Sequence, residues 1–269
     1  MKLCANIFLT LTFIVAGSLY VFPQSKALNK AEQKLIDLYK GIYEDGARLK
    51  NPKEKRLFLD SLEPVLEKRV IALLTMPGAM KDPFVNLRKS IKLIESPDKR
   101  LRFFSWNTQM GDEKNYIQVI AQYKNEEGGI HVEILKPFGR EGKFDQAVDY
   151  WDINMLADSS YLVFGDGKYN TKDRAVSIAN FKIAGNELTD TTAIFETDAG
   201  LSHTISISYS IQVCEADDLQ VYYDQEAQSL CYPLMTTIAK DKIIGQCASG
   251  ENICLLYDGS IFRKISSTK

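Results

Sequence analysis

The sequence predicts a mainly β protein: an antiparallel β-meander body preceded by a short helical segment. Helical periodicity is confined to residues 28–88. From about Lys89 onward apolar residues alternate with a period of two in many short runs, and turn-forming residues separate those runs. No second set of helical periods follows, which points to antiparallel pairing rather than βαβ units. A propeller-like arrangement and a curled open sheet both satisfy the strand spacing.

The N-terminus has the plan of an export signal. Lys2 supplies a positive charge, and Ile7–Phe22 is uncharged and mostly apolar. Pro23 ends that run, and Ser25 and Ala27 are the small residues a signal peptidase accepts. Cleavage is therefore expected after residues 1–27. The rival, an uncleaved anchor, is disfavoured by the length of the run and by Thr10, Thr12, Gly17 and Ser18 within it. Cys4 lies before the apolar run, so a lipid-bearing cysteine is not expected there. The resulting address is the periplasm or the extracellular space, with no membrane span after cleavage.

Leu28, Ala31, Leu35, Leu38 or Tyr39, and Ile42 mark one face of a first helix, which Gly46 ends. Asn51-Pro52-Lys53-Glu54 then reads as a helix start, with Asn51 as N-cap and Pro52 where no donor is needed. Ser61, three residues before Pro64, predicts the cap of a separate helix with Leu62, Leu66, Val70 and Leu73 on its apolar face. These stripes are narrow, so the segment 28–88 is expected to pack on a β-domain spanning 89–269.

Strands are expected at Ile91–Ile94, Leu101–Trp106, Tyr116–Tyr123, Ile130–Ile134, Tyr161–Phe164, Ala175–Ile183, Thr192–Phe195, Thr204–Val213, Leu219–Tyr223 and Ser229–Leu234. Lys242–Cys247, Ile253–Tyr257 and Ser260–Ile265 close the chain. Asp258-Gly259 carries a two-residue hairpin signal.

The net charge of −2 gives nucleic acid no basic stripe to bind. The charge is uneven: residues 28–100 hold 16 Lys+Arg against 11 Asp+Glu, whereas residues 101–269 hold 15 against 24. Drift in surface composition accounts for this most simply; basic helices seated on an acidic β-face are the alternative.

Cys214, Cys231, Cys247 and Cys254 form an even set confined to the last quarter of the chain, compatible with two disulfides. If Ser249–Asn252 form a hairpin turn, Cys247 faces Cys254, leaving Cys214 to Cys231. No C-x-x-C pair points to zinc.

No cofactor, metal or catalytic motif stands out. His131 and Glu133 share a strand face but have no third ligand at a recognisable spacing. His203 precedes Thr204, Ser206 and Ser208, yet no Gly-x-Ser-x-Gly elbow exists. Asp166–Asp173 fails as a calcium loop because Lys168 occupies a ligand position, and reads as a turn between strands. Asp149-Tyr150-Trp151-Asp152 combines two carboxylates with aromatics. Asp149, Trp151 and Asp152 are the candidates for sugar contact.

Three stretches, Ser96–Thr108, Tyr161–Asp173 with Ile178–Ile183, and Leu219–Asp224 with the terminal hairpin, resemble a group of secreted proteins from Bacteroidetes-type bacteria. The resemblance implies export and a β-fold. That group has no assigned activity, so it implies no functional residues. The expected function is a non-enzymatic envelope binding or scaffold protein, its partner an envelope protein or a glycan. The alternative is a carboxylate-based hydrolase acting on glycans. A carrier of lipids or other hydrophobes would require an apolar cavity.

Overall fold

The computed structural model describes residues 26–110, 116–135, 148–215, 219–240 and 242–265. Cys4 and the apolar run of the expected export signal lie outside the described residues. Lys26 and Ala27 open the first helix.

Helix α1 (Lys26–Arg48) buries Leu28, Leu35, Ile36 and Ile42 along one face. Helix α2 (Pro52–Leu74) starts where the sequence predicts: the Asn51 side chain accepts from the backbone N–H of Lys53 at 2.9 Å and of Glu54 at 3.5 Å. The separate helix expected from Ser61 does not exist. The Ser61 hydroxyl donates to the Phe58 carbonyl, and α2 runs through Pro64 without a break. A proline removes one backbone donor. Leu59 before it and Leu66 and Val70 after it are buried in the same apolar core, which holds the segment helical.

Fifteen strands follow, in three sheets among the described residues. The first sheet is the meander β1 (Lys92–Glu95), β2 (Leu101–Asn107), β3 (Ile117–Lys124) and β4 (Ile130–Ile134). The second contains β5 (Asp149–Met155), β6 (Tyr161–Lys168) and β7 (Asp173–Ala184). To β7 are added the short β8 (Glu187–Thr189) and β11 (Thr204–Ser210), both away from β6. The third runs in the order β10 (Gly200–Ser202), β9 (Phe195–Thr197), β15 (Phe262–Lys264), β14 (Ile243–Tyr257), β13 (Ser229–Lys240), β12 (Tyr222–Asp224). Pairing is antiparallel except for the single parallel contact of Phe262 with Phe195.

Three apolar cores order these elements into layers. One joins α1 and α2 to Phe104, Trp106 and Ile120 on one face of the first sheet. A second joins Phe103, Val119 and Tyr123 on the opposite face to Tyr150, Val163 and Phe181 of the second sheet. A third joins Phe164, Ile178 and Ile205 to Leu230, Leu255 and Phe262 of the third sheet. The stack is therefore helices, sheet, sheet, sheet. Two of its sheets are covered on both faces, so β2, with six consecutive buried residues, shows no polar alternation.

The seam between the helices and the first sheet is apolar, with a few hydrogen-bonded polar groups. Glu63 accepts from Tyr43 and from the Trp106 indole. The buried Arg102 guanidinium donates to the carbonyls of Ala79, Met80 and Asp82. It also pairs with Glu95 at 3.0 Å. Gln122 donates to the Leu74 carbonyl at 2.8 Å. The charge asymmetry of the sequence is thus not an ionic seam of basic helices on an acidic sheet.

Both disulfides form, with partners other than those expected. Cys231 bonds Cys254 and Cys214 bonds Cys247, at Cα separations of 4.2 and 5.0 Å. The expected turn at Ser249–Asn252 is instead the interior of β14. Cys247 and Cys254 lie on one strand, opposite Thr236 and Cys231, which are five residues and roughly 17 Å apart at about 3.3 Å per residue, too far to bridge. Register sets Cys231 directly opposite Cys254. The turn-like composition serves a bulge: Pro233 pairs with Asn252 and Met235 with Ala248, so Ser249, Gly250 and Glu251 oppose Leu234 alone. Gly250 adopts φ +89°, which glycine takes without strain, and Pro233 has no N–H to give the ladder. The terminal hairpin forms with a four-residue connection, Asp258–Ile261, between Tyr257 and Phe262, longer than the two-residue turn expected.

Candidate functional site

Strand β5 is the free edge of the second sheet, and it carries a bulge. Tyr150 pairs with Gly165 and Asp152 with Phe164, leaving Trp151 as the extra residue. Two features of sequence fix this. Tyr150 is fully buried against Phe103 and Phe181, at ring separations of 5.0 and 5.8 Å, which anchors the strand toward the first sheet. Opposite it, Gly165 has no room for a side chain: a Cβ there would meet Val148 at 2.3 Å and Tyr150 at 2.9 Å. The bulge turns the Trp151 indole to the other side, where it stacks on Phe164 with ring centroids 5.2 Å apart.

Trp151 remains 37% exposed and forms one wall of a cleft of about 480 Å³ between the second and third sheets. Asp166, Val176 and Tyr209 line the sheet beside it, and Leu219–Tyr222 closes the far side. The Trp151 indole lies beside the Asp166 carboxylate. Asp166 is open to solvent at the cleft, yet its pKa is raised, because crowding by the cleft walls desolvates it. The neighbouring Trp151 indole and the charge of Lys92 oppose that rise, and the Asp149 carboxylate adds to it. The Tyr209 hydroxyl is likewise held above its usual range, by burial and then by the Asp166 charge.

The three residues singled out from sequence occupy one strand but do not act as one group. Asp149 pairs with Lys92 at 3.1 Å and accepts from the Ser105 hydroxyl at 2.9 Å, which ties the second sheet to the first. Asp152 accepts from the Ile153 N–H and the Asn154 amide of its own strand. Only Trp151 lines the cleft. The carboxylate that meets it, Asp166, was legible only as the start of a failed calcium loop. It is part of β6, and the turn that follows is held by Asn170, which accepts from the N–H groups of Lys172 and Asp173. Tyr209 and Tyr222 come from distant strands. A signal for Asp166 existed: an acid inside the apolar run Tyr161–Gly167 breaks the pattern of a strand buried on both faces.

The chain matches no protein-family model, no curated protein and no solved structure. The chemistry of the cleft must therefore be read from its side chains alone.

An exposed indole buttressed from behind is a flat apolar platform, and the adjoining carboxylate and tyrosine hydroxyls are hydrogen-bonding groups at its rim. Such a set suits a ring that has one apolar face and hydroxyl edges. The remaining titratable candidates sit elsewhere. His131 stacks on Tyr123 with centroids 5.4 Å apart. Burial, more than any other influence, raises the pKa of Glu133 beside them. Among the described residues no group of three or more His, Cys, Asp or Glu side chains converges as a metal site.

Proposed function

We propose that this is an exported binding protein whose ligand, a sugar ring of an envelope or extracellular glycan, stacks on Trp151 in the cleft between the second and third sheets. The observation that carries the reading is the bulge at Trp151. It spends a ladder position of β5 to present an indole to solvent, with Phe164 behind it and the Asp166 carboxylate beside it. Two disulfides favour an oxidising compartment, and none of the described helices is long and apolar enough to cross a membrane. The disulfides support export, and the export signal of residues 1–27 belongs to the same proposal.

Calorimetric titration of the purified protein against a panel of neutral and acidic oligosaccharides tests this. At least one glycan should bind, and Trp151→Ala should weaken that binding about tenfold, the loss of one stacked ring. Retained affinity in a folded Trp151→Ala protein would remove the reading. Hydrolysis is the second reading, favoured by the raised pKa of Asp166 with Asp149 nearby. Release of reducing ends that Asp166→Asn abolishes while binding persists would establish it in place of simple binding.

A further inference from the structure

A second concavity, independent of the Trp151 cleft, lies between α1 and α2. We propose that it binds a free long-chain fatty acid, the acyl chain along the groove and the carboxylate at the cations on its rim. The groove encloses about 640 Å³, within the range of small-molecule sites. Its floor is Leu35 and Leu73, both buried. Leu38, Val65 and Met76 line it, and Val65 is among the exposed large apolar residues. Ala31 and Ala72 keep it open, since larger side chains at these helix positions would fill it. With residues 1–27 removed, the groove runs along α1 from Lys30 to Leu38, roughly 12 Å at about 1.5 Å per residue.

Charge complementarity selects the occupant. Lys30 and Lys34 on α1 and Arg69 on α2 line the groove, and no acidic side chain does. The charged partners available nearby are engaged elsewhere: Gln33 bonds Asp37 at 2.8 Å, and Glu32 points inward to accept from the Leu87 N–H at 3.0 Å. Three cations flanking an apolar channel match an amphiphile with one anionic end. A neutral hydrophobe would leave these charges unused.

The test is calorimetric titration of the protein recovered from the exporting cell, using saturated fatty acids of increasing length below their micellar concentrations. Affinity should rise about fourfold per added methylene and level off once the chain outgrows the groove. Lys34→Glu with Arg69→Glu, both exposed and outside the Trp151 cleft, should weaken dodecanoate about tenfold. Ala72→Leu should block the groove while leaving the charges and the fold intact. Equal affinity for dodecanoate and dodecanol, or undiminished binding in Ala72→Leu, would overturn the proposal. Binding to anionic phospholipid vesicles without binding of free fatty acid would overturn it in favour of a membrane-docking face. Glycan titrations on the same variants should be unchanged, which keeps the two sites separable.

Discussion

Glu63 shows what a single residue contributes at the helix–sheet seam. Its two carboxylate oxygens accept from the Tyr43 hydroxyl at 2.5 Å and the Trp106 indole at 3.0 Å. Burial raises its pKa more than these two bonds lower it, with Glu67 adding to the rise. The folded state therefore holds the proton more tightly than the unfolded chain. The associated stabilisation is complete below the unfolded value of about 4.3 and is lost as pH rises through the folded value. Glu63→Gln keeps an acceptor for Trp106 and gives Tyr43 a donor, but carries no charge. Urea unfolding at pH 4 and pH 7 should show the variant gaining on the natural protein as pH rises. A variant that instead loses ground between pH 4 and pH 7 would mean that the hydrogen bonds outweigh desolvation.

At the scale of elements, local signals placed most segments and misassigned a few. Asn51, Pro52 and Glu54 begin α2 because cap chemistry is local. Pro64 and the Ser249–Asn252 stretch misled for the opposite reason. A proline costs one donor, and a Gly-containing polar stretch offers one unusual φ, but whether the chain turns or continues is settled by what each flank packs against. Leu59 and Leu66 bury into one core across Pro64. Cys231 and Leu230 pair with Cys254 and Leu255 beyond Gly250, so that β14 continues. Peptide mapping without reductant should recover the links 214–247 and 231–254, and a 247–254 link would restore the hairpin rejected by the register. The bridges span 33 and 23 residues, for which loop-closure entropy gives roughly 3–4 kcal/mol each; the spans interlock, so the two do not add independently. Reduction should lower the unfolding temperature by several degrees in a thermal scan with and without reductant.

At the scale of the whole molecule, layering decides both stability and site. Most strands were legible from their alternation and turns, but β5, β8 and β10 were not, and Lys242–Cys247 and Ile253–Tyr257 are one strand. How they stack was not legible, because sheets covered on both faces lose the polar phase that would label their sides. Phe103 lies between the first two sheets against Tyr150 and Phe181. Phe103→Ala should cost about 3–5 kcal/mol in urea unfolding, and a cost under about 1 kcal/mol would contradict a shared core between those sheets. The site follows the same logic. Trp151 stood out in the sequence, whereas Asp166 and Tyr209 join it through strand pairing within the second sheet, and Tyr222 only once the third sheet is stacked on it. The chain holds two tryptophans, Trp106 buried in the helix–sheet seam and Trp151 at the cleft. Protein labelled with ¹⁵N at tryptophan therefore gives two indole N–H resonances, assigned by Trp151→Phe. Titration with a glycan that binds should shift the Trp151 resonance and leave that of Trp106 in place. A bound glycan that leaves the Trp151 indole unmoved would contradict the assignment of this cleft as the ligand site.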